Sequence, residues 1–262
     1  MVTIKSKSEI EKMKIAGSVT YGALAEIEKT VKPGMTTAEV NRIADRYIRS
    51  HGCTPSSKGY GGFPESICTS VNDVIIHGIP GPYVLKEGDL LSVDIVSGYK
   101  GYHGDAARTF GVGRISDEAQ RLIDATKQSF FEGIEKAREG YRIGDISAQI
   151  QHYVENHGFS VLRGYCGHGI GSEMHEDPEI PNYVTSKRGI RIKAGMCLAI
   201  EPMVCQFDYK YYIGDDDWAV IMRDGGLTAH YENHRSCHKR RAGNIDKAVV
   251  TVREADKDAF DR

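Results

Sequence analysis

Two apolar runs of the same form punctuate this 262-residue chain: LKEGDLLSVD at residues 85–94 and IKAGMCLAIE at 192–201. A short continuous apolar run bounded by turn residues fits a buried strand, here entered through a Gly-bearing turn. Each run closes on a carboxylate, Asp94 in the first and Glu201 in the second. Upstream of each, the apolar period changes to that of a helix. Val40, Ile43, Ala44, Tyr47 and Ile48 fall on one stripe, and Ile146, Ile150, Tyr153 and Val154 on another. Thr36 and Glu39 have capping-box spacing before the first helix, and Gly52 and Gly158 close the two helices. Longer helical stretches are predicted over residues 8–31 and 117–138.

These elements form a weak internal repeat at an offset of about 106 residues. VKPGMTTAEVNRIADRYIRSHG matches AREGYRIGDISAQIQHYVENHG, and the two strand runs match at an offset of 107. Each half therefore reads as helix, helix, then strands ending in a carboxylate. Two such halves related by a pseudo-twofold would set Asp94 and Glu201 facing each other across a cleft. The halves span about 1–112 and 113–233, leaving an atypical segment at 234–262. With no Pro/Gly/Ser-rich linker between them, residues 1–262 are expected to form a single α+β domain with two lobes.

A carboxylate ending an apolar strand is costly to bury unless something pairs with it. Asp105 and Glu232 extend the set to four carboxylates, and His168 adds an imidazole. Four converging carboxylates would repel and raise one another's pKa. Two divalent cations relieve that repulsion. An oxygen-rich set with one imidazole suits Mn, Co, Fe or Zn. A pair of such metals about 3.5 Å apart turns a shared water into a nucleophile near neutral pH. Asp105 lies in GYHGDAARTF, where alternation is broken, and Glu232 in the strand-like LTAHYEN. His168 lies in CGHGIG, whose glycines leave room for a ligand. His77 and His175 sit in turn-rich loops and are candidates to donate hydrogen bonds to an oxyanion or a leaving amine.

Composition narrows the setting. Lys plus Arg total 34 and Asp plus Glu 36, a formal charge of −2 that gives no global nucleic-acid or membrane signature. No signal-peptide h-region opens the sequence, and no apolar run is long enough for a transmembrane helix. The six Cys stand singly, which fits reduced thiols and a cytoplasmic location.

The motifs GYGGFPESICTSVNDVIIHGIP, VDIV, GYHGDAARTF, GFSVLRGYCGHGIGSEMHEDP, AGMCLAIEPM and AHYEN together resemble the methionine aminopeptidases of the shorter, bacterial-type class. The resemblance covers residues 4 to 233 and includes the spacing of the five ligand positions. It implies the pita-bread fold, two pseudo-twofold-related halves around a central antiparallel sheet. It also implies two divalent metal ions. Asp94 would hold one, His168 and Glu201 the other, with Asp105 and Glu232 bridging. His77 and His175 would flank the scissile peptide, and Glu201 would double as general base or proton shuttle. Tyr60, Phe63, Cys68, His77, Met174 and Trp218 match the wall of the methionine pocket. Phe63 and Met174 stand where the family often has Tyr and Phe, and Gly61 where some members have His. Residues 81–85 and 174–178 would rim the site. The implied activity is removal of initiator methionine from nascent chains by a monomeric enzyme, with the ribosome as a partner.

Two rivals remain. An aminopeptidase or dipeptidase of the same fold cutting before proline would carry an extra N-terminal domain. A non-catalytic ribosome-associated module would have lost metal ligands. After Glu232 the family continues with an apolar strand, whereas this chain has NHRSCHKRR. Arg235, Lys239, Arg240 and Arg241 make that stretch read as a solvated loop. A basic contact to RNA and a metal site from His234, Cys237 and His238 are the alternatives.

Overall fold

The structure is a computed structural model and describes residues 1–237. The first half opens with α1 (Lys7–Thr30) and α2 (Thr37–Ser50). Both start on capping boxes: Ser6 and Glu9 exchange side-chain-to-backbone bonds, as do Thr36 and Glu39. Strands β1 (Thr54–Pro55), β2 (Cys68–Val71) and β3 (Val74–Ile76) follow, then a long hairpin of β4 (Leu90–Tyr99) and β5 (Tyr102–Gly111). The second half brings α3 (Asp117–Ile134) and α4 (Ile143–Asn156), β6 (Ser160–Val161), β7 (Cys166–Gly169) and β8 (Glu176–Pro181). It closes with β9 (Cys197–Ile200), β10 (Met203–Cys205), β11 (Tyr211–Ile213), β12 (Val220–Met222), β13 (Thr228–His230) and β14 (Asn233–Ser236). Every strand pair among the described residues is antiparallel.

The sequence repeat reappears as a repeat of strand register. Thr54 faces Gly98 and Pro55 faces Ser97 where β1 meets β4. Ser160 faces Cys205 and Val161 faces Val204 where β6 meets β10, the same pairs moved along by the repeat offset. Each half has its own core. Ile27, Val40, Ala44 and Ile48 pack on Leu91, Val93 and Ile95 in the first. Phe130, Ile146 and Ile150 pack on Leu198, Ile200 and Val204 in the second. Each fully buried Val, Leu, Ile or Phe side chain here stabilises by about 1.5–3 kcal/mol. The approach is closest at Gly104, where a Cβ would lie 2.2 Å from the backbone nitrogen of Gly17 on α1. That contact presses α1 against the strand bearing Asp105.

Asp105 lies inside β5, opposite Val96. Two expectations are corrected. The first strand does not end at Asp94: β4 continues to Tyr99, and Asp94 lies mid-strand. Residues 233–237 are not part of a solvated loop. Asn233–Ser236 pairs with β9, and Asn233, His234, Ser236 and Cys237 are buried. Polar residues suit this strand because its neighbours supply hydrogen bonds, which apolar alternation does not reveal. His238, Lys239, Arg240 and Arg241 lie outside the described residues. Segment 81–85 is tied to the first turn of α2, where Thr37 donates to Gly81 and Leu85 joins the core. No helix among the described residues is long and apolar enough to cross a membrane.

Candidate metal centre

Register brings the carboxylates into one row. Asp94 on β4 faces Ala107 on β5. Ala107 exchanges backbone hydrogen bonds with Glu232, N–H to carbonyl in both directions. The pairs Asn233–Ile200 and His230–Met203 share one register, which sets Glu201 opposite Glu232. Directly opposed residues in antiparallel strands project to the same face. Asp94, Ala107, Glu232 and Glu201 therefore make one row across both halves, and Asp105 stands two residues from Ala107 on the same face of β5. Pro202 follows Glu201 and has no N–H for a ladder, so pairing lapses there between β9 and β10.

His168 on β7 closes the set. Its Nε2 lies 3.7 Å from an oxygen of Asp105 and 3.6 Å from one of Glu201. One ligand atom each from Asp105, His168 and Glu232 falls within a mutual 4.8 Å. His168 Nδ1 donates to the Gly169 carbonyl at 2.8 Å, which leaves the Nε2 lone pair facing the carboxylates. Gly167 lets this strand come close: a Cβ there would lie 2.4 Å from the Ala199 carbonyl oxygen.

The electrostatics are those of a site that needs positive charge. Burial pushes Asp94 up to about 7. Burial, then the neighbouring carboxylates, push Asp105, Glu201 and Glu232 well above the usual carboxylate range. Oxygens of Asp94, Asp105 and Glu232 are buried without a hydrogen-bond partner among the described residues. Buried carboxylate oxygens without partners are costly, and cations would relieve that cost. The donor set, mostly oxygen with one neutral imidazole, fits divalent Mn, Fe, Co or Zn.

The remaining candidates gather around this row. His175 Nδ1 is 2.7 Å from the Tyr60 hydroxyl, and its ring lies 4.2 Å from that of His168. His77 adopts a left-handed φ of 61°, and its ring packs edge-on against Tyr165 and Trp218. Burial lowers both histidines, His77 to about 4, so they are neutral at pH 7. Phe63 and Trp218 form a T-shaped pair with ring centroids 5.1 Å apart. Cys68 faces Asp94 across β2 and β4, and burial followed by the adjacent carboxylates pushes its thiol far up. Met174 is buried immediately before His175, while Tyr60 is exposed.

One residue was missed from sequence. His230 is buried with its Nε2 3.9 Å from Glu201. Its position two before Glu232 on a strand period was the available signal, since i and i+2 share a face. His234 inserts between halves, with Nδ1 3.1 Å from both the N–H and the carbonyl of Asp105. Nδ1 serves one of these two groups at a time, so His234→Ala leaves one buried backbone group of Asp105 short of a partner, at a cost of about 1–3 kcal/mol. Thermal denaturation of this variant is expected to show a lower Tm; an unchanged Tm would show that the contact contributes nothing.

The sequence profile of metallopeptidase family M24 matches residues 11–237. The chain belongs to that family. Among similar proteins of the M24 family, the methionine aminopeptidase of Clostridium acetobutylicum is 54% identical over 234 residues, covering 89% of this chain and 94% of the relative. Methionine aminopeptidase 1 of Bacillus subtilis is 46% identical over 233 residues, with 89% and 94% covered. The crystal structure of methionine aminopeptidase from Thermotoga maritima superposes with a TM-score of 0.90 at 41% identity, over 92% of this chain and 97% of that one. The prolidase of Pyrococcus furiosus, at 19% identity and a TM-score of 0.74, shares the fold alone and is matched over only 63% of its length. This M24 metallopeptidase thus has the pita-bread fold that its motifs implied.

Proposed function

We propose that this M24 metallopeptidase hydrolyses the peptide bond after an N-terminal methionine, acting on nascent polypeptides whose second residue is small. The observation that carries this reading is the aromatic pair Phe63 and Trp218 beside His77, next to the buried carboxylate row. Asp94, Asp105, His168, Glu201 and Glu232 would hold divalent cations, two by the charge of the four carboxylates. Bound there, such ions supply Lewis acidity and lower the pKa of a shared water.

The protein's own groups do the rest. His175 Nδ1 lies 2.7 Å from the Tyr60 hydroxyl; with that hydroxyl as donor, the neutral imidazole presents an Nε2 proton to the developing oxyanion. Glu201 takes a proton and passes it to the leaving amine. His77 lies on the same wall as Trp218 and orients the peptide. Phe63, Cys68, Met174 and Trp218 enclose the methionine side chain, a flexible Met against aromatics being a good match for a thioether. Both halves supply ligands, so we treat them as one catalytic domain. The six free Cys support a cytoplasmic location, and a monomer is the working assembly with the ribosome as a partner.

A pocket of this kind discriminates by about 1–3 kcal/mol per methylene added or removed. Tripeptides Xaa-Ala-Ser with Xaa as Met, Leu or Ala test this directly. Methionine is expected to be released at least tenfold faster than leucine, a ratio of about 10 to 200. Equal rates for leucine or alanine would contradict the pocket.

A further inference from the structure

Lys5 precedes α1 in the chain and reaches across the molecule. Its ammonium lies 2.6 Å from Glu176, with side-chain exposures of 4% and 7%. Glu176 directly follows His175 and opens β8, where it faces Gly169, the neighbour of His168. The other oxygen of Glu176 accepts the N–H of Glu173, closing the turn from within. Thr3 also donates to this carboxylate. The Lys5 stem runs over Gly171, where a Cβ would come within 2.4 Å of its Cε, and the Lys5 backbone is pinned by an N–H bond to the Gly195 carbonyl. Burying an ion pair is seldom a source of net stability, because desolvation offsets the attraction. A pair placed here instead fixes a turn. Residues 171–176 are held at one end by the His103 N–H on Gly171 and at the other by Lys5 on Glu176. His175 stands between those two anchors.

We propose that the Lys5–Glu176 ion pair is a positioning device for His175, holding its imidazole against the Tyr60 hydroxyl and toward the substrate carbonyl. Lys5 touches neither substrate nor the candidate metal ligands and acts through the turn. This rests on the role given to His175 above. Small misplacement of a catalytic group is expensive: about 1 Å can cost on the order of 100-fold. Loss of Lys5 should therefore appear in kcat, while binding of the methionine side chain and of metal stays as it was.

The test is a double-mutant cycle on Met-Ala-Ser hydrolysis, with metal affinity measured by calorimetry. Lys5→Met is expected to lower kcat by roughly tenfold or more with KM and metal binding near wild type. Lys5→Arg, which keeps the charge, should recover part of the loss. In a His175→Ala background, Lys5→Met should have no further effect on kcat, because the group it positions is gone. The proposal is overturned if Lys5→Met retains kcat within about twofold, if metal binding falls with it, or if the loss persists undiminished beside His175→Ala. Should Lys5→Met not fold, Glu176→Gln takes its place in the cycle with the same expected and contrary results. Failure of the unmodified enzyme to release methionine would strike the functional reading instead, so the two failures are distinguishable.

Discussion

Replacing Asp105 by alanine is expected to cost roughly 1,000-fold or more in kcat/KM, since several kcal/mol of transition-state charge stabilisation would depend on cations that Asp105 helps to hold. Asp105 lies inside β5, 4% exposed, and belongs to the cluster with His168 and Glu232. Removing it takes away one donor and leaves Asp94, His168, Glu201 and Glu232 to arrange the site. Metal content should fall together with turnover, as read by elemental analysis of the purified variant. The strand should survive, because alanine keeps the backbone ladder to Val96 and already occupies the next two positions of β5. Two bound metals and near-normal turnover in Asp105→Ala would remove the basis of the site assignment.

The second large effect is on stability. Asp94 has its folded pKa raised by burial to about 7, against about 3.9 in an unfolded chain. Below about pH 4 the carboxyl is protonated in both states, and its full stabilisation is present. As pH rises toward 7, the unfolded chain has already released this proton while the folded protein still holds it. Stability from Asp94 is therefore lost over that window. Asp105, Glu201 and Glu232, also raised, act in the same direction. Metal-free protein should thus show a falling Tm between about pH 4 and pH 7, by several kcal/mol in ΔG at about 1.4 kcal/mol per pKa unit. Bound divalent cations favour the ionised carboxylates and reverse the trend. A metal-free Tm that rises over this range would show that the carboxylates are not mutually crowded.

Much of this arrangement is legible in the chain because its signals are local. The caps at Thr36 and Glu39 and the stripe from Val40 to Ile48 need no tertiary knowledge, and α2 starts where they predict. Asp94 and Glu201 announce themselves as charges in apolar runs. The register that joins them does not, since it depends on Ala107 and Glu232 pairing across the two halves. The end of the first strand was misplaced because Asp94 interrupts apolarity without interrupting the ladder to β5. The stretch from Asn233 to Ser236 was misread for a related reason. His234 and Asn233 are polar, yet they spend that polarity inward, on the backbone of Asp105 and the guanidinium of Arg108. A hydropathy pattern records what a residue is, and only the fold shows which partners make its burial affordable.

The central claim is that these residues form a metal-dependent centre that releases N-terminal methionine. Its most direct test compares Met-Ala-Ser with Xaa-Pro peptides, using purified protein loaded with divalent metal and the same protein after chelation. The expected result is free methionine from Met-Ala-Ser, little cleavage of Xaa-Pro peptides, and loss of methionine release on chelation that added metal restores. Faster cleavage before proline, or methionine release indifferent to the chelator, would contradict it.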